Sequence, residues 1–166
     1  MNIFAIDRDP GVAARHLVDL HTVKMVLESA QMLANCFTPE QLASPECPRT
    51  KAGTVRKYCH FNHPSSKWVR KSKDNMRWLI DHALQMDKER MERFASAEPH
   101  FSVSFIYWVQ ANIDKSTTPD GPITEFAQAM PVEYKCEDSI EAYRKLYKYG
   151  KVHLHNWKRN KPDWIL

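Results

Sequence analysis

Apolar residues recur every three or four positions between Asp9 and Phe37, which is the spacing of one buried face of a helix. Asp9 is suited to cap such a helix, and Pro10 suits its first position. The pattern predicts a helix from Pro10 to about Phe37, with allowance for a break near Asp19. Its predicted apolar stripe consists of Leu17, Leu20, Val23, Leu27, Ala30 and Ala34, widened by Val26 and Leu33.

A second helical repeat follows His63 and extends to Phe94, with Ser65 or Ser66 as its predicted cap. The segment between the two helices, residues 38–54, contains three prolines and one glycine and is predicted to be a loop. Loops of this length are often functional. The apolar positions of the second helix are Trp68, Val69, Met76, Leu79, Ala83 and Met86.

Three shorter segments follow the second helix. Residues 102–113 fit either a strand or a helix, and a helix is favoured. Residues 124–135 are predicted to form a short helix that is interrupted at Pro131. Residues 137–150 are predicted to form a helix that stops at Gly150.

Together these elements predict an all-α, single-domain multi-helix bundle over residues 1–166, with long first and second helices. No apolar run approaches the roughly 18 residues that a membrane span needs, and the N-terminus lacks the features of a secretory signal. We therefore expect a cytoplasmic protein with no membrane partner. None of the four cysteines forms a CxxC motif, so free thiols are expected.

Positive charge is concentrated in two segments, although the net charge is only +4. From Arg49 to Arg77 there are nine Lys and Arg against Asp74 alone, and from Ser139 to Leu166 there are seven against two acidic residues. This asymmetry is typical of nucleic-acid binding, although a solvated basic face has the same pattern. The candidate DNA-binding residues are Arg56, Lys57, Asn62, His63, Lys67, Trp68, Arg70 and Lys71.

Four polar residues, His21, Lys24, Glu28 and Gln31, interrupt the most apolar part of the first helix at steps of three, four and three positions. This spacing puts them on one helix face, as a ridge. In a partly enclosed cleft the ridge would be an acid/base site, because its imidazole, amine and carboxylate perturb one another's protonation. The alternatives are a buried structural network and an exposed stripe with an ordinary i,i+4 ion pair.

Five segments, in this order, resemble a family of small phage-encoded proteins over nearly the whole chain: MNIFAIDRDP, HTVKMVLESAQML, NHPSSKWVR, FAQAMP and EAYRKLYKYGKVHLHNW. A more distant resemblance is to the pyrimidine-dimer DNA glycosylase (endonuclease V-like) group, through the Met-x-Ile-aromatic start, the element at Ala30, Gln31 and Leu33, and the dipeptide His63-Pro64. The resemblance implies an all-helical, single-domain, cofactor-free enzyme of an infected host cell. It implies excision of a damaged base from DNA and cleavage of the strand at the exposed sugar.

The group resembled uses the α-amino group of a processed N-terminus as nucleophile, with a glutamate on the first long helix. Here Asn2 is too large for the usual removal of the initiator methionine, so we expect that amine to be displaced by one residue. The sequence suggests a different nucleophile, a desolvated Lys24 with a lowered pKa. Glu28 would stabilise the developing cation or activate water, and His21 would relay a proton.

In this hypothesis the cations hold phosphates of double-stranded DNA, and Trp68 supports the opened base stack. One rival is a non-catalytic DNA-binding accessory protein, and another is an enzyme that modifies a nucleobase or nucleotide. No metal is expected, because Cys47 and Cys59 are twelve positions apart, which matches no compact zinc site. The oligomeric state is left open.

Overall fold

The computed structural model describes residues 1–165, which form seven α-helices and no β-strand. The predicted all-α fold is confirmed. Among these residues, no helix combines the length and the apolarity that crossing a membrane requires. The helices are α1 (Pro10–His16), α2 (Asp19–Ala34), α3 (Pro39–Ala43), α4 (Pro64–Val69), α5 (Lys73–Phe94), α6 (Val103–Ala111) and α7 (Ser139–Lys145).

The first predicted helix is divided into α1 and α2. Asp9 caps α1 by accepting a hydrogen bond from the Val12 backbone N–H at 2.8 Å, and Pro10 is the first helical residue, as predicted. Leu17 and Val18 then adopt extended backbone, and α2 begins at Asp19, where a break was anticipated.

The second predicted helix is also two helices, and its predicted cap is wrong. α4 is capped by His63, whose Nδ1 accepts the Ser65 backbone N–H at 3.2 Å. α5 has its own cap, the Ser72 hydroxyl, which accepts the Asn75 backbone N–H at 3.2 Å. The Asn75 amide also donates to the Trp68 carbonyl at 2.7 Å, so polar side chains stabilise the break between the two helices.

Two further predictions are corrected. The loop of residues 38–54 contains the short helix α3, because Thr38 and Gln41 form a reciprocal capping box. Residues 124–130 are not helical, since side chains of other segments bind them as extended chain, including Asn75, which accepts the Thr124 N–H at 2.9 Å. A single turn of 3₁₀-helix follows at Val132–Tyr134.

The remaining predicted elements hold with small changes. α6 confirms the helix favoured for residues 102–113. α7 continues as one turn of π-helix, Leu146–Gly150, which ends at the predicted glycine. Ile165 is buried, Trp164 packs against the core, and Leu166 lies outside the described residues.

The core draws buried residues from all seven helices, with α5 packed against α1 and α2, and α6 packed against α5 and α2. The predicted apolar stripe of α2 is partly wrong, because Leu20 and Val23 are 53% and 41% exposed while His21 and Glu28 are buried. The reason lies in the N-terminal segment, which is itself buried from Asn2 to Ile6 and hydrogen-bonds to the polar side of α2. This arrangement encloses part of the ridge.

Candidate functional site around Glu28

Glu28 is a buried carboxylate with three nitrogen groups around it. Its Oε2 accepts the Asn2 backbone N–H at 3.0 Å and lies 3.6 Å from the amino nitrogen of Met1. Its Oε1 lies 3.4 Å from Nζ of Lys24. The negative charge of this buried carboxylate is thus compensated by two amines and one backbone N–H. A carboxylate beside an amine can take a proton from it and return one.

The first residues hold the Met1 amino group in place. The Asn2 side chain accepts the backbone N–H groups of Ile3 and Phe4 at 2.8 and 3.3 Å and donates to the Ala129 carbonyl at 2.8 Å. The Met1 side chain packs against the core. The retained methionine was expected to displace the amine from its place, but the Met1 nitrogen lies beside the glutamate of α2.

Lys24 does not have the environment that the sequence hypothesis required. Its side chain is 62% exposed, so the desolvation expected to activate it is absent. The cause is its position on α2, beside Leu20 and Val23 on the face that the N-terminal segment leaves open. Lys24 contributes an ion pair to Glu28 at the surface of the site.

His21 is separated from the carboxylate by its own contacts. Its ring stacks on Phe4 with centroids 4.2 Å apart, and its Nδ1 lies 2.5 Å from the hydroxyl of Tyr147. Burial, assisted by the positive charges of Lys151 and Lys24, lowers the pKa of His21 to about 4. The imidazole is therefore neutral at pH 7. No hydrogen bond among residues 1–165 connects it to Glu28, which leaves the predicted proton relay without a route.

His63 is a sequence candidate that the fold brings near Met1. Burial is the main cause that lowers the pKa of His63, and the charge of the Met1 amino group adds to it, while Glu28 opposes the shift. Because Nδ1 accepts the Ser65 N–H, the neutral ring carries its proton on Nε2. His63 thus both caps α4 and lies within electrostatic range of the site.

Two of the predicted DNA contacts are internal instead. Arg56 is buried, donates from Nε to the Pro48 carbonyl at 3.1 Å, and lies 4.2 Å from the ring centroid of Phe105. It satisfies the carbonyls of the irregular loop that precedes it. Trp68 is also buried, stacked on Phe126 at 4.8 Å, so it has no face free for an opened base stack.

The other predicted DNA contacts remain accessible. Arg70 is half-buried and donates from Nε to the Ser66 carbonyl at 3.0 Å and from Nη2 to the Phe61 carbonyl at 2.6 Å. It therefore fixes the turn that precedes α4. The exposed members of the set are Lys57, Asn62, Lys67 and Lys71.

The sequence did not reveal an exposed aromatic pair in the basic segment. Tyr58 and Phe61 are 44% and 37% exposed and stack with centroids 4.9 Å apart, at 27°. The guanidinium of Arg70 lies 3.4 Å from the Phe61 centroid. The i,i+3 spacing of two aromatics among cations was visible in the sequence, but nothing there indicated that they remain exposed.

Gln31, the last residue of the ridge, borders a separate cavity. The cavity has a volume of about 420 Å³ and lies between α2 and residues 50–59. Tyr58 and Lys57 form part of its wall. The ridge is thus divided by the fold, with His21 inside the core, Lys24 and Glu28 at the carboxylate site, and Gln31 in the neighbouring cavity.

Comparisons of this chain with protein-family models, with curated proteins and with solved structures found no match.

Proposed function

We propose that this chain is a DNA-directed enzyme of the glycosylase/abasic-site lyase type, with the Met1 amino group as its nucleophile and Glu28 as its acid/base. The observation that carries the proposal is the 3.6 Å separation between the Met1 nitrogen and the buried carboxylate. Among amines near Glu28, the Met1 nitrogen belongs to a residue whose side chain is anchored in the core, whereas Lys24 extends into solvent. An anchored amine is better positioned for attack.

The chemistry follows from an amine beside a carboxylate. At an abasic site, the neutral amine adds to the C1′ aldehyde of the opened sugar, and loss of water from the adduct leaves an imine. Glu28 carries the proton that the attacking amine releases to the former carbonyl oxygen, and a second proton, from solvent, lets that oxygen leave as water. Glu28, ionised again, then stabilises the cationic iminium. Removal of a C2′ proton from that iminium then expels the 3′ phosphate and cuts the strand.

The surroundings supply the charge that DNA requires. Lys57, Lys67 and Lys71 are exposed in the segment that packs beside the site, and none forms an ion pair with another residue of the described chain. Such lysines can contact phosphates without first breaking an internal bond. A non-catalytic DNA-binding protein would use the same lysines, and it is the second candidate function.

Borohydride reduction tests the proposal, because it converts an imine into a stable secondary amine. Protein shown by intact mass to start at Met1 is incubated with an oligonucleotide that contains an abasic site, reduced, and separated by electrophoresis. We expect a covalent adduct with wild type and with Lys24→Ala, and a loss of about 100-fold or more in its rate of formation with Glu28→Gln. If folded wild-type protein binds the oligonucleotide but forms no adduct, the lyase proposal is wrong and the non-catalytic DNA-binding function is supported.

A further inference from the structure

We infer that the cavity beside Gln31 binds an unpaired nucleobase of DNA, so that the chain prefers single-stranded or locally opened DNA to an intact duplex. This inference rests on the proposed function in taking DNA as the partner. It changes the expected form of that partner, since the sequence pointed to double-stranded DNA.

A rigid aromatic wall is the first feature of the cavity that fits a base. The Tyr58 hydroxyl donates to the Phe37 carbonyl at 2.8 Å, and the ring stacks on Phe61, which in turn contacts the guanidinium of Arg70. The ring is therefore fixed in orientation although it is 44% exposed. Held aromatic rings at the surface are the platforms on which proteins stack the bases of single strands.

The second feature is a side-chain amide with hydrogen-bonding capacity to spare. Gln31 is half-buried in the cavity wall, and its amide has no hydrogen-bond partner within residues 1–165. An amide offers donors and an acceptor together, which can pair with the Watson–Crick edge of a base. That edge is available only when the base is unpaired.

The charge, volume and position of the cavity also suit a nucleotide. Lys57 and Arg56 line the cavity, and none of its described lining residues is acidic, so a phosphate meets no repulsion there. The volume of about 420 Å³ is within the usual range for a small ligand and can accept a base with its sugar. Gln31 follows Glu28 by three residues of α2, about 4.5 Å along the helix axis, so the cavity adjoins the carboxylate site.

Fluorescence anisotropy with labelled oligothymidylate and with a duplex of the same length tests the inference. Gln31→Leu removes the amide at similar volume, and Tyr58→Leu removes the ring. Tyr58→Phe keeps the ring, and Tyr107→Leu removes an exposed tyrosine of α6 as a control. We expect about tenfold weaker single-strand binding for the two leucine variants at positions 31 and 58. Tyr58→Phe keeps the ring but loses the hydrogen bond to Phe37, so an intermediate loss of about threefold is expected, and Tyr107→Leu should stay within about twofold.

The outcomes separate this inference from the proposed function. Equal affinity of wild type for single strand and duplex, or single-strand binding unchanged by both Gln31→Leu and Tyr58→Leu, overturns the inference even if an imine is trapped. Weakened single-strand binding in those two variants supports the inference even if no imine forms, and in that case only the catalytic proposal fails. Thermal unfolding of each variant confirms that the comparison is made on folded protein.

Discussion

The carboxylate of Glu28 lies 3.6 Å from the amino nitrogen of Met1, and the same oxygen accepts the backbone N–H of Asn2 at 3.0 Å. The first two residues thus meet a buried negative charge on α2. The N-terminal segment that makes this contact covers the side of α2 that carries His21 and Glu28, whereas Leu20 and Val23 are exposed. Met1 and Asn2 therefore belong to the surroundings of Glu28.

Glu28→Gln is expected to lower the free energy of unfolding by about 1–2 kcal/mol, because the amide still accepts the Asn2 N–H but no longer balances two amines. Urea unfolding of the variant measures the change. Glu141→Gln, which alters an exposed glutamate on α7, is the matched control and is expected to change stability by less than about 0.5 kcal/mol. Equal effects of the two substitutions would contradict the assigned environment of Glu28.

Arg93→Met is expected to destabilise the fold by about 3–5 kcal/mol. Arg93 is buried and donates to the carboxylates of Asp19 at 2.9 Å and Glu89 at 2.7 Å, so its removal leaves two buried negative charges without their main partner. The exposed pair of Arg77 and Asp74 provides a control, since Arg77→Met is expected to cost less than about 1 kcal/mol. Chemical denaturation of both variants measures the free energies of unfolding. Similar decreases in the two variants would argue against a buried ion-pair network around Arg93.

His21 makes stability depend on pH. Its pKa is lowered to about 4 by burial, whereas in the unfolded chain it has the ordinary value of 6.5. Protons therefore bind the unfolded chain in preference between pH 6.5 and pH 4, and stability falls as the pH is lowered through that window. The contribution of this residue is fully present above pH 6.5 and amounts to about 3 kcal/mol.

The measurement compares wild type with His21→Phe across the same pH range. The variant keeps an aromatic ring against Phe4 but loses the titratable group, so its unfolding free energy should fall less between pH 6.5 and pH 4. His82, whose pKa burial also lowers to about 4, remains in both proteins and cancels in the difference. Parallel curves for wild type and His21→Phe would show that His21 is not buried as a neutral group.

DNA binding should weaken with salt through the exposed lysines near the site. Lys57→Ala and Lys67→Ala are each expected to reduce the slope of log K against log salt by about 1, because each removes one phosphate contact and its released counterion. Titration of an oligonucleotide at several salt concentrations gives the slopes. Lys88→Ala, at an exposed position of α5 outside the two basic segments, is the control and is expected to leave the slope unchanged. If none of the three substitutions changes the salt dependence of binding, the DNA does not contact Lys57 or Lys67.

The sequence predicted the helical class and most helix positions, because these depend on local periodicity and caps such as Asp9. It failed where a side chain from elsewhere decides the structure. Asn75 hydrogen-bonds to Thr124 and to the end of α4. These contacts leave residues 124–130 as extended chain instead of the predicted helix and split the second predicted helix into α4 and α5. Such contacts join residues far apart in the chain and leave no periodic signal.

The candidate site was only partly predicted, because it too depends on contacts between residues far apart in the chain. The spacing of the ridge identified Glu28 as a residue on a particular helix face. Whether that face is covered depends on the path of the N-terminal segment. The residue pattern of α2 gives no information about that path. Lys24 and Trp68 were consequently assigned the wrong environments. The resemblance raised an N-terminal amine, but its contact with Glu28 and the exposure of the Tyr58–Phe61 pair emerge only from the fold.

The position of the trapped adduct tests the central claim most directly. Wild-type protein reduced with borohydride on abasic DNA is digested with protease and nuclease, and the peptide that carries the remaining sugar is sequenced by mass spectrometry. The account predicts that the sugar is attached to the α-amino group of Met1 and that a block on this amine prevents attachment. Attachment to the side chain of Lys24, or attachment that persists when the Met1 amine is blocked, would contradict it.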